Sequence, residues 1–363
     1  MWLHDRERAG AGRWPLDGLP VSPDETARLA DWLRAHLVDF RGSLQVQPLA
    51  GGQSNPTFRV EAGDHRWVLR RKPPGVLLAS AHAVDREHRV MAALSDTDVP
   101  VPRMHALCED ASVIGSTFVV MEHVDGRVFA DPSLPGLGAG ERDAIYLALA
   151  RTLAAIHSVD VTAVGLADYG RPQNYLSRQI DRWTRQYRAS QTEVLEPMER
   201  LIAWLPAHLP AGLDDEPGTL VHGDYRIDNL IYHPTEPRVL AVIDWELSTL
   251  GHPLADLAYH LMAWRVAPDE FRGLKGHDLA ALNLPSEAEH LARYLAAGAA
   301  VKTLSPTVLD YLMAFNMFRM AAILQGILAR SLQGNAAAHD AAATGERARR
   351  MAQAGWRQAL QSA

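Results

Sequence analysis

The run His222-Gly223-Asp224-Tyr225-Arg226-Ile227-Asp228-Asn229 is followed, fifteen residues after Asn229, by Ile243-Asp244-Trp245-Glu246 at the end of an apolar stretch. Moving a phosphoryl group to a hydroxyl needs a carboxylate that orients the hydroxyl and takes its proton, and hard oxygen donors that hold Mg²⁺ against phosphates. One Asp plus an Asn–Asp pair supplies that set. Taken singly, each residue is what a polar turn uses, because Asp and Asn side chains cap and turn the backbone. As an ordered set beside strand-like runs, the three are accounted for together by phosphoryl transfer. A metal hydrolase built on His222 and Asp224 lacks another histidine at ligand-like spacing.

These residues need elements to hold them. Leu220-Val221, Leu230-Ile231-Tyr232 and the apolar residues 239–243, separated by polar turns, predict a small β-element within a helical region. Upstream, Ser22-Pro23-Asp24-Glu25 has the form of a helix start, with a cap serine, proline at the first position and glutamate at the third, before Leu29, Trp32, Leu33 and Leu37 at helical spacing. Residues 43–50, 56–61 and 66–71 read as an antiparallel meander, residues 80–94 as a helix, and 104–108 and 117–122 as two more strands. Past Val124-Asp125-Gly126 the periodicity becomes helical over 141–157, 175–187, 193–205, 253–264, 288–297, 306–332 and 337–360. The expectation is an α+β chain of two lobes, 1–122 with an antiparallel sheet and 123–363 largely helical.

His-Gly-Asp, four residues, Asn, then an apolar strand ending in Asp resembles the catalytic and metal-binding motifs of the aminoglycoside phosphotransferase family, whose fold is protein-kinase-like. The resemblance implies a bilobal kinase-like fold with ATP and Mg²⁺ as cofactors, Asp224 as catalytic base, and Asn229 and Asp244 as Mg²⁺ ligands. It covers roughly residues 44–330. Arg226, two residues past the base, stands where kinases place a lysine near the transferring phosphate; it either stabilises charge there or is an exposed arginine. Asp256, in Pro253-Leu254-Ala255-Asp256, matches a helix-start motif and is expected to brace the catalytic loop. His222 is expected to pack within that loop.

The amino-terminal lobe must then cover ATP. Gly51, Gly52, Ser54 and Asn55, between two strands, suit a backbone that approaches phosphates closely, although hairpins use glycine for other reasons. Trp67-Val68-Leu69-Arg70 takes the place of the strand that carries the ATP-pairing lysine, with arginine as a departure. Arg70 and Lys72 share one strand face; Arg70 is ranked first, with Glu87 on the next helix as its partner or, alternatively, paired within its own helix to Arg86 or Arg89. Met121, Glu122 and Val124 fall at the expected hinge, where backbone groups would meet adenine. Asp244-Trp245-Glu246 replaces the Asp-Phe-Gly of protein kinases, and helix signals resume within ten residues, leaving no room for a long activation segment.

Composition narrows the partners. A net charge of -7 and a pI near 6.1 give no basic field for nucleic acid or anionic lipid. The apolar residues 311–329 are interrupted by Asn316, Arg319 and Gln325 and read as a buried helix, not a membrane span. The beginning of the chain shows no secretory pattern, so a cytoplasmic location is expected, and the single Cys108 is not expected to act as a nucleophile. From Glu246 onward there are ten acids and eleven bases, so no carboxylate excess marks a polycationic acceptor. Residues 51–58, 69–75 and Phe315-Asn316-Met317-Phe318-Arg319 resemble the kinase-like domain fused to some acyl-CoA dehydrogenases, which implies hydroxyacyl-CoA acceptors. Asn316 and Arg319, one helical turn apart, would then face the small-molecule hydroxyl acceptor or make a buried helix–helix hydrogen bond. An aminoglycoside 3'-type acceptor and a catalytically silent nucleotide-binding protein are the alternatives.

Overall fold

Ser22 opens helix α1 (Pro23–His36) with a complete capping box: its side chain accepts from the Glu25 N–H, and the Glu25 carboxylate accepts from the Ser22 N–H at 2.8 Å. The structure is a computed structural model and describes residues 22–49, 55–73, 84–216, 218–298, 301, 304–332 and 341–361. The buried face of α1, Leu29 and Leu33 with Leu37 just beyond, joins Phe58, Val60, Trp67, Leu69, Phe118 and Val120 of the sheet in one core. Each such side chain contributes about 1.5–3 kcal/mol on full burial, which is why this amphipathic helix docks instead of standing free.

The sheet has five antiparallel strands: β1 (Gln45–Pro48), β2 (Thr57–Ala62), β3 (His65–Arg71), β4 (Met104–Cys108) and β5 (Phe118–Glu122), in the order β1-β2-β3-β5-β4. Helix α2 (Val84–Leu94) runs between β3 and β4 in the chain, and its expected start at Ser80 lies outside the described residues. A four-residue helix that the periodicity did not reveal, α3 (Ala111–Ile114), is capped by Asp110. Cys108 is buried in the sheet core, and burial pushes its thiol pKa up, away from nucleophilic use.

The helical part holds α4 (Ala139–His157), α5 (Tyr175–Ser190) and α6 (Glu196–Ala207). Four short strands follow, β6 (Thr219–Val221), β7 (Leu230–Tyr232), β8 (Val239–Val242) and β9 (Thr249–Gly251), pairing as β6 with β9 and β7 with β8. Then come α7 (Pro253–Leu261), the short α8 (Pro268–Phe271) and α9 (Leu279–Leu282), α10 (Glu287–Ala296), α11 (Pro306–Leu332) and α12 (Ala341–Gln361). Helix α11 is long and apolar enough to cross a bilayer, but its most apolar window is 89% buried among α5, α7 and α12, as a core helix is.

The chain divides into two compact units, and the division differs from a single cut near residue 122. The first unit runs to Ala130 and also takes in Ile227–Ser248; the second comprises Asp131–Arg226 and the residues from Thr249 onward. The β7–β8 hairpin, expected within the helical lobe, is tied to the first unit by paired backbone bonds between Arg127 and Tyr232, both 2.8 Å, and by Val242 N–H donating to Pro100 at 2.8 Å. Gly126 permits that approach, since a Cβ there would lie 2.3 Å from the Tyr232 carbonyl oxygen.

Candidate active site

In the first unit, the β7–β8 register explains how two distant motif residues meet. Leu230 pairs with Val242, and the Ile243 N–H donates to the Asn229 carbonyl at 2.9 Å, so Asn229 at the start of β7 and Asp244 just past β8 emerge at the same end of one hairpin. Asp244 holds left-handed backbone angles, φ 70° and ψ 51°, a region where Asp is tolerated better than most side chains. Trp245 behind it is fully buried and anchors the turn by donating its indole N–H to Val242 at 3.0 Å.

Arg70 reaches this turn from β3. Its Nη2 lies 2.9 Å from Asp244 Oδ1 and 3.6 Å from Glu246 Oε2, and its Nε 3.1 Å from Glu87 Oε2 on α2. Lys72, the other candidate, lies past the end of β3 and pairs with Asp85 at 2.6 Å at a more exposed position. Arg86 is directed elsewhere, to the Ser248 carbonyl. Arg70 and Glu87 are nearly fully buried. Burial works against the Arg70 charge, yet Glu87, Asp244 and Glu246 raise its pKa above the ordinary arginine value. Burial also pushes the Glu87 carboxyl up, with Arg70 pulling the other way.

Three acidic side chains, Glu87, Asp244 and Glu246, gather around Arg70. That is the electrostatic setting of a divalent cation. Among the described residues no three metal-ligating side chains come together. Asn229 and Asp244 fit Mg²⁺ in the way that ion is ordinarily held, by one or two protein oxygens with water and phosphate oxygens completing the shell.

Beside the Arg70 cluster lies a cleft lined by Val68, Met91, Met121, Ile231 and Ile243 as apolar walls and by Arg70, Glu87 and Asp244 at its charged end. The expected hinge residues Met121, Glu122 and Val124 all line it. An apolar slot running into a charged cluster matches a nucleotide, with a flat base at one end and phosphates at the other. Val68, Met91, Ile231 and Ile243 were not singled out from sequence, where they read as core residues of strands and a helix. Asn55 is fully buried and its carbonyl accepts from the Thr57 hydroxyl, while Gly51, Gly52 and Ser54 lie outside the described residues.

The second unit holds Asp224. Gly223 before it has φ +81°, which a residue without a side chain adopts at no cost. Asp256 on α7 accepts the His222 N–H at 2.8 Å and the Gly223 N–H at 2.9 Å, and is itself hydrogen-bonded to His157 Nε2 at 3.2 Å. Burial opposes the Asp256 charge, but His157 and the His222 contacts hold its carboxyl below the usual range. His222 is buried and its Nδ1 accepts from the Asp224 N–H. Arg226 is neither remote nor simply exposed: its Nε stands 3.1 Å from Asp224 Oδ1.

Of the two alternatives for Asn316 and Arg319, the structure shows buried hydrogen bonds to α7 and to the Asp224 loop. Asn316 is buried and donates to the Ala255 carbonyl at 2.9 Å and the Leu312 carbonyl at 3.0 Å, the helix–helix alternative. Arg319, also buried, donates to the Gly223 carbonyl at 2.5 Å and sits over the rings of Trp183 and Tyr259. Both were drawn inward by packing on α7, which helical spacing alone does not disclose. Tyr259, whose hydroxyl donates to Asp224 Oδ1, was missed from sequence; its only signal is its place one turn after Asp256.

The sequence profile of the phosphotransferase enzyme family, APH, matches residues 45–291. A Ralstonia eutropha protein carrying an aminoglycoside phosphotransferase designation is 50% identical in sequence, with a TM-score of 0.83 over 93% of this chain and 98% of that one. A thermostable mutant of aminoglycoside phosphotransferase APH(4)-Ia, solved as a ternary complex with ADP and hygromycin B, shares the fold at 18% identity, with a TM-score of 0.57 over 90% of this chain and 97% of that one. Among curated proteins, mouse acyl-CoA dehydrogenase family member 10 is 45% identical over 320 residues, 87% of this chain and 29% of that protein. The probable acyl-CoA dehydrogenase IBR3 of Arabidopsis thaliana is 46% identical over 321 residues, 84% of this chain and 38% of its own length. The chain thus spans about a third of these curated relatives. With a five-stranded antiparallel sheet, a helical second unit and a family match over most of its length, the chain belongs to the phosphotransferase enzyme family and has its kinase-like, bilobal α+β fold.

Proposed function

We propose that the chain transfers the γ-phosphate of ATP to a hydroxyl of a small molecule, and that the acceptor is a hydroxyacyl thioester of coenzyme A. The observation that carries the phosphotransfer reading is the Arg70–Glu87–Asp244 cluster at the charged end of the cleft, with Asn229 beside Asp244. Mg²⁺, held by Asn229 and Asp244, would neutralise charge on the phosphates. Arg70 adds a fixed positive charge there, and Glu87 keeps its guanidinium from swinging away. Asp224 orients the acceptor hydroxyl and takes its proton as the new P–O bond forms at the γ-phosphorus; the bond to the bridging oxygen breaks and ADP leaves. Arg226, against the Asp224 carboxylate, adds positive charge beside the reacting group.

The acceptor class draws support from the curated relatives, which bear an acyl-CoA dehydrogenase name over a longer chain. Near-balance of charge from Glu246 onward gives a polycationic aminoglycoside no comparable attraction. The test is ³¹P-monitored transfer from Mg-ATP to a panel of 3- and 4-hydroxyacyl-CoAs, aminoglycosides, choline and homoserine, with Asp224→Asn as control. Transfer to a hydroxyacyl-CoA that is absent in the variant is the expected result. Transfer to an aminoglycoside alone overturns the acceptor assignment, and nucleotide binding without transfer to any acceptor favours a silent nucleotide-binding protein.

A further inference from the structure

We propose that Tyr259 is a positioning residue for the base: its hydroxyl grips Asp224 Oδ1 and so sets the carboxylate plane in which the other oxygen meets the acceptor hydroxyl. The inference rests on Asp224 being the base. Tyr259 lies on α7, one turn after Asp256, so a single helix holds both the backbone of the Asp224 loop, through the His222 and Gly223 N–H groups, and the Asp224 side chain. A carboxylate is planar. Fixing one oxygen therefore constrains where the second points, in concert with Arg226, whose Nη2 donates to Oδ2 at 3.3 Å and whose Nε lies 3.1 Å from Oδ1, and a base misaimed by an ångström loses much of its rate advantage.

The tyrosine is itself held. It is 2% exposed, and the Arg319 guanidinium lies 5.2 Å from the centre of its ring and 5.5 Å from that of Trp183. The same Arg319 donates to the Gly223 carbonyl, so ring and loop share one clamp. Burial first, and the nearby Asp224 charge second, raise the Tyr259 hydroxyl well above the ordinary tyrosine pKa, which keeps it a proton donor at neutral pH. A ring packed only to shield Arg319 would need no hydroxyl. Here the hydroxyl gives a charge-assisted bond to the group that must be aimed.

Tyr259→Phe keeps the ring and removes this one bond. The expected result is a kcat for phosphate transfer lower by roughly ten- to a hundred-fold, with KM for Mg-ATP within about twofold of wild type. In ¹H NMR spectra of the unliganded protein, a downfield hydroxyl proton present in wild type should be missing from both Tyr259→Phe and Asp224→Ala, which removes the acceptor. A Tyr259→Phe kcat within twofold of wild type overturns the proposal, as does an equal fall in kcat and nucleotide affinity, which marks a merely structural residue. Should wild type transfer phosphate to no acceptor, the phosphotransfer reading fails instead, and the spectra decide the Tyr259–Asp224 bond without turnover. If Tyr259→Phe does not fold, wild type and Asp224→Ala decide it alone: no downfield proton in wild type, or one that persists in Asp224→Ala, overturns it.

Discussion

Arg70 Nη2 and Asp244 Oδ1 lie 2.9 Å apart although 174 residues separate them in the chain, and Glu87 holds the other side of the same guanidinium. One arginine fork joins the central strand β3, helix α2 and the turn after β8. Arg70→Met strands a buried Glu87 without its cation, a change that typically costs about 3–5 kcal/mol. Urea unfolding should show that loss, and Glu87→Gln, which keeps shape and removes charge, should lose less. Arg70→Lys should fold but bind Mg-ATP more weakly, because an ammonium cannot make the two-sided contact.

Asp224→Asn removes the proton acceptor and the negative charge that Tyr259 and Arg226 face, while the Asp256 contacts to the loop backbone are untouched. Turnover should fall by several orders of magnitude while ATP binding, followed by calorimetry, stays within about threefold of wild type. Turnover near the wild-type level would falsify Asp224 as the base.

Asp244→Asn leaves Asn229 with a neutral partner. The Mg²⁺ concentration for half-maximal activity should rise by roughly tenfold or more, because the site loses its ligand charge. Titrating Mg²⁺ at fixed ATP measures this. Asn229→Ala should move the same midpoint in the same direction; an unchanged midpoint in both variants removes the pair as the metal site.

Acid should destabilise the second unit. His260 and His290 are buried with their Nε2 atoms 2.9 Å apart, one donating and one accepting, an arrangement that needs the accepting ring neutral and that two protonated rings cannot make. Burial first lowers His260 to about 4 and His290 well below its ordinary value. An unfolded histidine takes up its proton near pH 6.5, so each ring's contribution is whole above that pH. It is lost as pH falls towards 4, at up to about 1.4 kcal/mol per pH unit for each group. Asp256, with its carboxyl held low, adds to the loss in the same direction at more acidic pH. Urea midpoints measured from pH 7 to pH 4 should fall continuously, and a flat profile above pH 5 would contradict the neutral pair.

Much of this protein is written locally in its sequence. The α1 capping box needs only Ser22, Pro23 and Glu25 in a row, and β4 and α11 begin and end where composition and period change. Asn229 and Asp244 come to one end of a short hairpin, where chain spacing nearly equals spatial neighbourhood. Partner choice is different, since it is decided by long-range packing. The place of residues 227–248 in the first unit depends on contacts with Pro100 and Arg127, and the pairing of Lys72 with Asp85 leaves Glu87 to Arg70. The inward turn of Asn316 and Arg319 depends on α7 lying against α11, and so does the stacking of Arg319 on Tyr259. Periodicity tells which face of a helix is buried, but only the tertiary structure brings up the neighbour that the buried polar group must satisfy.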